Sequence, residues 1–406
     1  MTRKQNLSDQ SSEDKLTQNQ DQGRDFSTLS FNKDGSELMF NECFDARLID
    51  KETKANKTEC KIFRLNLANN TLRYYDLPDQ DKYFYSDGSF SPSGNYVVMK
   101  RKPKIKLDGK LSDKEKEDQI RRSYEQSEIA VMKADGSDFR IIKMAPGVIV
   151  RPIMSNDESK IAYFRAKLRK PVSKTFAAQF DIYEIDLKAK TDKLFSGPYE
   201  FFETGQMQYL KGDKEILTHA YTPLNDESRG GLSASKYNDK YSNSSIYKIS
   251  RGAEGLLEPM VMEGFMSVSN PFSGANDSIY FYGQEIKTGM QLSKKDIDGN
   301  IATWEPTLEY AYISQIIVNS DESKIFFCYT FYEPDRFKRT NIRKSGIAYL
   351  NTKTYEWKKL EVPSVNSSNG IKVIGSRILE IKHPNELKNS LKKLPNFSLT
   401  NPIKLK

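Results

Sequence analysis

The chain has 406 residues and a net charge of +8, with 37% apolar and 11% aromatic residues, among them 22 Tyr and 22 Phe. No apolar run reaches the ~18 residues a helical membrane span requires, and three cysteines with no CxxC pair exclude a disulfide framework. The charge permits an anionic partner, and the aromatic content suits pleated sheets.

The first stretch, MTRKQNLSDQSSEDKLTQNQDQGRD, is polar and Gln/Asp/Ser-rich, and residues 1–25 are predicted to form a short disordered tail. It holds no apolar core of a secretory signal. The expected location is therefore cytoplasmic or export by another route, and periplasmic if the chain is a trimmed mature form. From there the chain repeats itself. An apolar residue, a turn of Asp, Ser, Gly and Asn, and an alternating apolar strand recur at Phe31, Phe90, Met154, Leu210, Phe272 and Val318, at intervals of 59, 64, 56, 62 and 46 residues. Each copy is followed by a second strand–turn–strand, with turns at Asn69-Asn70, Asp135-Gly136, Lys188-Ala189, Arg251-Gly252, Asp298-Gly299 and Asn351-Thr352.

Four antiparallel strands per unit and six units predict an all-β, six-bladed β-propeller, because a lone four-stranded sheet leaves its faces uncovered and six packed radially do not. The blades are expected at about 26–77, 83–144, 148–195, 201–261, 265–306 and 310–362, within a domain spanning 26–382. Ser112–Gln126 opens with Ser-Asp, carries mixed charge and predicts one helix inserted in blade 2. Short runs within 366–382 either help close the ring or form a degenerate extra blade. Residues 383–406 are a basic, Pro-broken extension.

The repeated turn, fullest in Phe90-Ser91-Pro92-Ser93-Gly94 and Phe31-Asn32-Lys33-Asp34-Gly35, resembles the WD40-like (PD40) repeat of TolB-type propellers. So does the strand Ile182-Tyr183-Glu184-Ile185-Asp186-Leu187. The likeness covers about residues 26–362 and implies a binding or scaffold role in the bacterial envelope or in protein complexes.

Loops joining the second and third strands are long in five units (about 44–60, 101–126, 165–179, 221–243 and 330–344) and short in the fifth. The opposite face carries tight turns only. Elaborated loops on a rigid scaffold are where binding resides. Residues 100–126 carry a net +4, 165–174 a net +5 and 330–344 a net +3. Arg165, Lys167, Arg169, Lys170, Arg336 and Arg339 are thus expected on a basic rim that docks an acidic protein surface or an anionic glycan. Nucleic acid is disfavoured for want of a recognised motif. Counting three residues back from each anchor predicts channel-lining Thr28, Asp87, Arg151, Met207, Ser269 and Gln315, with Tyr85 on the same strand face as Asp87.

No catalytic residues, metal or cofactor are assigned. His219 ends a strand, there is no Gly-x-Ser-x-Gly elbow, and Asp296-x-Asp298-x-Asn300 lacks the closing Glu of a calcium loop. A non-catalytic monomeric scaffold is expected. The alternative is a hydrolase or lyase acting on an anionic saccharide or peptide, with Asp87, Arg151 and His219 at the channel mouth. Cys43 and Cys60 flank one loop and could bridge in an oxidising compartment, but the reading favours free buried thiols.

Overall fold

The structure, a computed structural model, describes residues 24–45, 58–105, 110–142, 145–166, 180–197, 201, 204–220, 244–254, 257–260, 262–286, 288–305, 312–335, 340–360, 362, 371–374 and 378–381. Residues 167–179, 221–243 and 336–339 lie outside these. Lys167, Arg169, Lys170, Arg336 and Arg339 therefore lie outside the described residues.

Blade 1 consists of β1 (Arg24–Phe31), β2 (Glu37–Asp45), β3 (Thr58–Asn66) and β4 (Leu72–Tyr75), and blade 2 of β5 (Tyr83–Phe90), β6 (Tyr96–Pro103), β7 (Glu128–Lys133) and β8 (Arg140–Ile142). Blade 3 holds β9 (Val148–Met154), β10 (Lys160–Ala166), β11 (Asp181–Asp186) and β12 (Thr191–Leu194). Blade 4 holds β13 (Met207–Tyr209), β14 (Glu215–Ala220) and β15 (Ser245–Ser250). In its fourth position Leu257–Met260 is held to β15 by the Met260 N–H on the Ile246 carbonyl (2.8 Å). Blade 5 holds β16 (Phe265–Ser273), β17 (Ile279–Glu285), β18 (Gly289–Lys295) and β19 (Ile301–Trp304). Blade 6 holds β20 (Tyr312–Val318), β21 (Lys324–Asp335), β22 (Thr340–Asn351) and β23 (Trp357–Lys359).

The first strands touch in sequence around the ring, and β20 returns to β1. The result is a six-bladed propeller. Its core is distributed between blades, as the alternation requires: each sheet buries both faces against its neighbours. Phe40, Phe63 and Leu65 of blade 1 meet Ile317, Phe326 and Cys328 of blade 6, while Met39 and Ile62 meet Val97, Met99 and Met132 of blade 2. Five more residues of blade 2 and blade 3 (Val98, Ile129, Val131, Ile161 and Tyr163) continue the series.

Two strands beyond blade 6, β24 (Ile371–Ile374) and β25 (Ile378–Ile381), settle the question the sequence left open. They extend the outer edge of blade 1, with β25 antiparallel to β4 and Ile381 opposite Leu72. The inner side of the same junction is closed by a buried ion pair. Arg24, the first residue of β1, donates to both oxygens of Glu42 on β2, its Nη2 lying 3.0 Å from Oε2. Arg24 Nη1 also reaches the Val362 carbonyl (3.3 Å), and the Ser345 hydroxyl donates to the Arg24 carbonyl. Blades 1 and 6 are tied both inside and outside.

The inserted helix α1 (Asp113–Glu125) matches its prediction. Ser112 caps it, and the Glu115 carboxylate accepts from the Ser112 N–H (2.8 Å), forming a capping box. Unit six differs from its prediction: 330–335 and 340–344 are strand, because β21 and β22 stay paired from Thr330–Ser345 out to Asp335–Thr340. Cys43 and Cys60 also differ from theirs. They face each other across β2 and β3, with Cα atoms 4.0 Å apart, and form a disulfide that links the two strands. Spacing alone could not reveal this, since only strand register makes the two residues opposite partners. Closing a loop with a sequence separation of 17 stabilises by about 2–3 kcal/mol. The Cys43→Ser/Cys60→Ser double variant is expected to lose that amount in urea unfolding under oxidising conditions. Equal midpoints would show that the thiols are not bonded.

Candidate functional site

In blades 1, 2, 3 and 5 the inner strand is interrupted by a bulge at the same place. Thr28, Asp87, Arg151 and Asn270 have φ of 55°, 55°, 53° and 52°, and the ladder skips a residue at each. An extra residue reverses the inward–outward phase of the strand, and this overturns the expectation for Tyr85. Tyr85 is 2% exposed in the core between blades 1 and 2, packs edge-on to Phe139, and donates its hydroxyl to the Pro78 carbonyl (2.6 Å). It does not line the channel.

The bulge also corrects the count in blades 4 and 5. There the residues equivalent to Asp87 are Gln206 and Asn270 rather than Met207 and Ser269, because the turns begin one residue away from the apolar anchors chosen: Leu210 N–H bonds Glu215 and Gly274 N–H bonds Ser278. Gln206 reaches past blade 5 to blade 6, donating to the Ile316 carbonyl (2.6 Å) and accepting the Ile316 N–H (3.0 Å). Asn270 donates to the Ile313 carbonyl (2.9 Å). Amides thus cross-brace the centre of the ring. Gln315 is 3% exposed, and its Nε2 lacks a hydrogen-bond partner among the described residues.

Asp87 and Arg151 do come together, but through the main chain. The Asp87 carboxylate accepts the Arg151 N–H (3.2 Å) and faces Lys100 Nζ (3.7 Å). The Arg151 charge acts on the buried Lys100, His219 and Cys328. His219 is 3% exposed, and its Nδ1 accepts the Asn270 N–H (2.8 Å). Burial, reinforced by Arg151, holds its imidazole neutral, with a pKa of about 3. A Cβ on Gly205 would sit 1.9 Å from this ring, so the glycine is what admits the histidine. His219 is a neutral structural acceptor, unsuited to proton transfer near pH 7.

On the long-loop side, the end of β6 concentrates positive charge. Arg101 pairs with Glu128 (2.6 Å) and lies over Tyr83, its Cζ 4.0 Å from the ring centre. Lys100 is buried against Asp87, and burial pushes its ammonium down. Lys102 lies over Tyr124 of α1 (3.6 Å) and near Phe84 (5.8 Å), and Lys104 lies over Phe84 (5.0 Å). Neither has a carboxylate partner among the described residues. Burial pushes the Lys102 ammonium down to about 8. Beside them opens a cavity of about 270 Å³ whose lining includes Lys61, Asp81, Tyr83, Phe84, Tyr85 and Lys104, so Tyr85 borders this cavity instead of the channel. Lys102 and Lys104 belong to the charge run of residues 100–126, where nothing local distinguishes them from the other basic residues. The aromatic seats that single them out come from β5 and α1, which no local pattern joins.

Arg165 is differently placed. Its guanidinium pairs with Asp192 on the outer strand of its own blade and stacks over Tyr183 (3.4 Å), so its charge is largely met internally. No group of three or more potential metal ligands occurs among the described residues, and no helix there is long and apolar enough to cross a membrane.

The tight-turn face shows a second regularity. Gly35, Gly94, Glu158, Asp213, Asp277 and Glu322 occupy one left-handed turn position, with φ from 54° to 75°. Three of the four acids that replace glycine there staple blades. Glu158 accepts the Ser93 N–H (3.0 Å) of blade 2, Asp213 accepts the Asn156 and Asp157 N–H groups (2.8 and 3.0 Å) of blade 3, and Glu322 accepts the Ala275 N–H (2.6 Å) of blade 5. Within the turns, the Ser155 hydroxyl and the Ser159 N–H hold Asp157 down to about 2. Hydrogen bonds from Ser91 and Ser93 hold Glu158 low against the opposing effect of burial. Carboxylates with depressed pKa values stabilise the fold above their unfolded values, and that contribution is lost as pH falls. Stability is expected to drop progressively from about pH 4 to pH 2. A flat chemical-unfolding midpoint across that window would contradict the role assigned to these turns.

No family model matches the chain, and no curated protein matches it. Solved structures are similar to it. They include a putative TolB from Agrobacterium tumefaciens, 17% identical over 69% of this chain and 80% of that one, with a TM-score of 0.40. TolB from Acinetobacter baumannii is 10% identical over 89% and 80%, with a TM-score of 0.46. Oligogalacturonate lyase from Vibrio parahaemolyticus is 11% identical over 88% and 89%, with a TM-score of 0.46. TolB proteins and a lyase stand side by side among them, and likeness of this degree speaks to shape alone.

Proposed function

We propose that the chain is a non-catalytic binding propeller that docks an acidic protein surface, or another polyanion, on its long-loop face. One observation carries the reading: Lys102 and Lys104 are seated on aromatic rings, Lys104 at the rim of an open cavity, with no carboxylate partner for either among the described residues. A partly desolvated ammonium over a ring is costly until an anion approaches it, and binding then recovers that cost. The remaining basic residues of the expected rim, Lys167, Arg169, Lys170, Arg336 and Arg339, would extend the same surface. Chemistry is disfavoured because His219 is buried and committed, while Asp87 is bonded to a backbone amide and a lysine. The Cys43–Cys60 disulfide suits an oxidising compartment, in keeping with the periplasmic option.

The test is retention of the full chain on immobilised poly-glutamate. Lys102→Glu/Lys104→Glu is expected to elute at markedly lower salt than the parent chain, and Lys188→Glu/Lys190→Glu on the opposite face is expected to elute unchanged. Because Lys102 titrates near 8, retention is also expected to weaken as pH rises from 7 to 9, earlier than ordinary lysines would dictate. Equal elution of both variants would reduce the cluster to solubility charge.

A further inference from the structure

The tight-turn face carries a separate concavity at the ring axis, independent of the long-loop face. It measures about 350 Å³ and draws its lining from all six blades. Phe31, Phe90, Pro92, Met154, Met207 and Phe272 make its wall apolar, and Gln206, braced to Ile316, lies at its base. Lys33 is the single charged residue among those lining it. The six turns around the mouth (32–36, 91–95, 155–159, 210–214, 274–278 and 319–323) together carry a net charge of −4. An apolar funnel inside an acidic rim fits a basic segment that presents an aromatic or aliphatic side chain.

The chain supplies such a segment on the correct side. Since Ile381 lies opposite Leu72, and Leu72 follows the 67–71 turn, β25 delivers the chain to the tight-turn face at the outer edge of blade 1. Residues 382–406 then carry six lysines against Glu386, a net +5, around Leu394-Pro395-Asn396-Phe397-Ser398-Leu399. From β25 to the axis is about four strand spacings, or roughly 20–25 Å at ~4.8 Å each. The 16 residues from Ile381 to Phe397 can span about 50 Å when extended. Reach is ample. We propose that residues 392–399 of the same chain fold back across this face, with Phe397 and Leu399 entering the funnel and Lys392 and Lys393 set against its acidic turns. A bound tail would make the funnel a self-occupied site, which any external ligand of that face would first have to clear.

The full chain carrying Phe397→p-benzoylphenylalanine tests this on irradiation in dilute solution. Cross-links within one molecule to the funnel wall, Met154 and Met207 foremost, are expected. Their yield should fall about fivefold on adding Lys392→Glu/Lys393→Glu, as the loss of two exposed ion pairs worth ~0.5 kcal/mol each would give. Cross-links confined to the outer edge of blade 1, cross-links between molecules, or an intramolecular yield indifferent to the lysine changes would each overturn the proposal.

Discussion

Glu42→Ala is expected to be the most damaging single change away from the aromatic core, lowering unfolding free energy by about 3–5 kcal/mol. The carboxylate is fully buried and accepts from two guanidinium nitrogens of Arg24, itself 7% exposed. Removing it strands a charge at the joint between the first and last blades. The size of the loss thus comes from the uncompensated arginine more than from the pair's own attraction. The double variant Arg24→Met/Glu42→Leu separates the two, because it removes both charges while keeping apolar volume. It is expected to recover most of the loss. If urea unfolding showed the double variant as unstable as the single one, the pair would be needed for geometry, namely the reach of Arg24 to the Val362 carbonyl.

Asp213→Ala is expected to cost about 3–4 kcal/mol, although the residue occupies a surface turn. Its carboxylate receives the Asn156 N–H (2.8 Å), the Asp157 N–H (3.0 Å) and the Asn156 side-chain amide (2.7 Å), all from the neighbouring blade. Its left-handed backbone, with φ of 55°, costs a non-glycine residue about 1 kcal/mol. Asp213→Gly would relieve that strain and still lose the three bonds, so it is expected to lie between wild type and alanine. Should glycine prove as stable as the parent, the strain would outweigh the staple and the blade 3–blade 4 bond would be incidental. Differential scanning calorimetry of the three proteins decides the order.

The contrast between these residues shows what is readable in one dimension. Asp213 belongs to a repeated turn, and its type is visible in the sequence. Its partner is not, because Asn156 lies 57 residues earlier. Glu42 looked like any polar residue on an alternating strand, and Arg24 fell within the polar leader. Only ring closure brings the first strand beside the last blade and turns an ordinary pair into a buried one. Tyr85 lies away from the channel for a local reason: a single bulged residue reverses strand phase, and residue identity does not announce bulges.

By itself, the sequence determined the number of blades, their strand alternation and the inserted helix. Those properties follow from short-range periodicity, turn chemistry and charge counted along the chain, all of which survive without contacts. Tertiary structure decided which basic side chains are neutralised, as Arg165 is by Asp192, and which rest on rings, as Lys102 does on Tyr124. It also decided that Cys43 faces Cys60, and that the last strands join blade 1 instead of forming a blade of their own. Each of these depends on register or on closure of a circle, quantities that belong to pairs of distant residues and so are written at no single position.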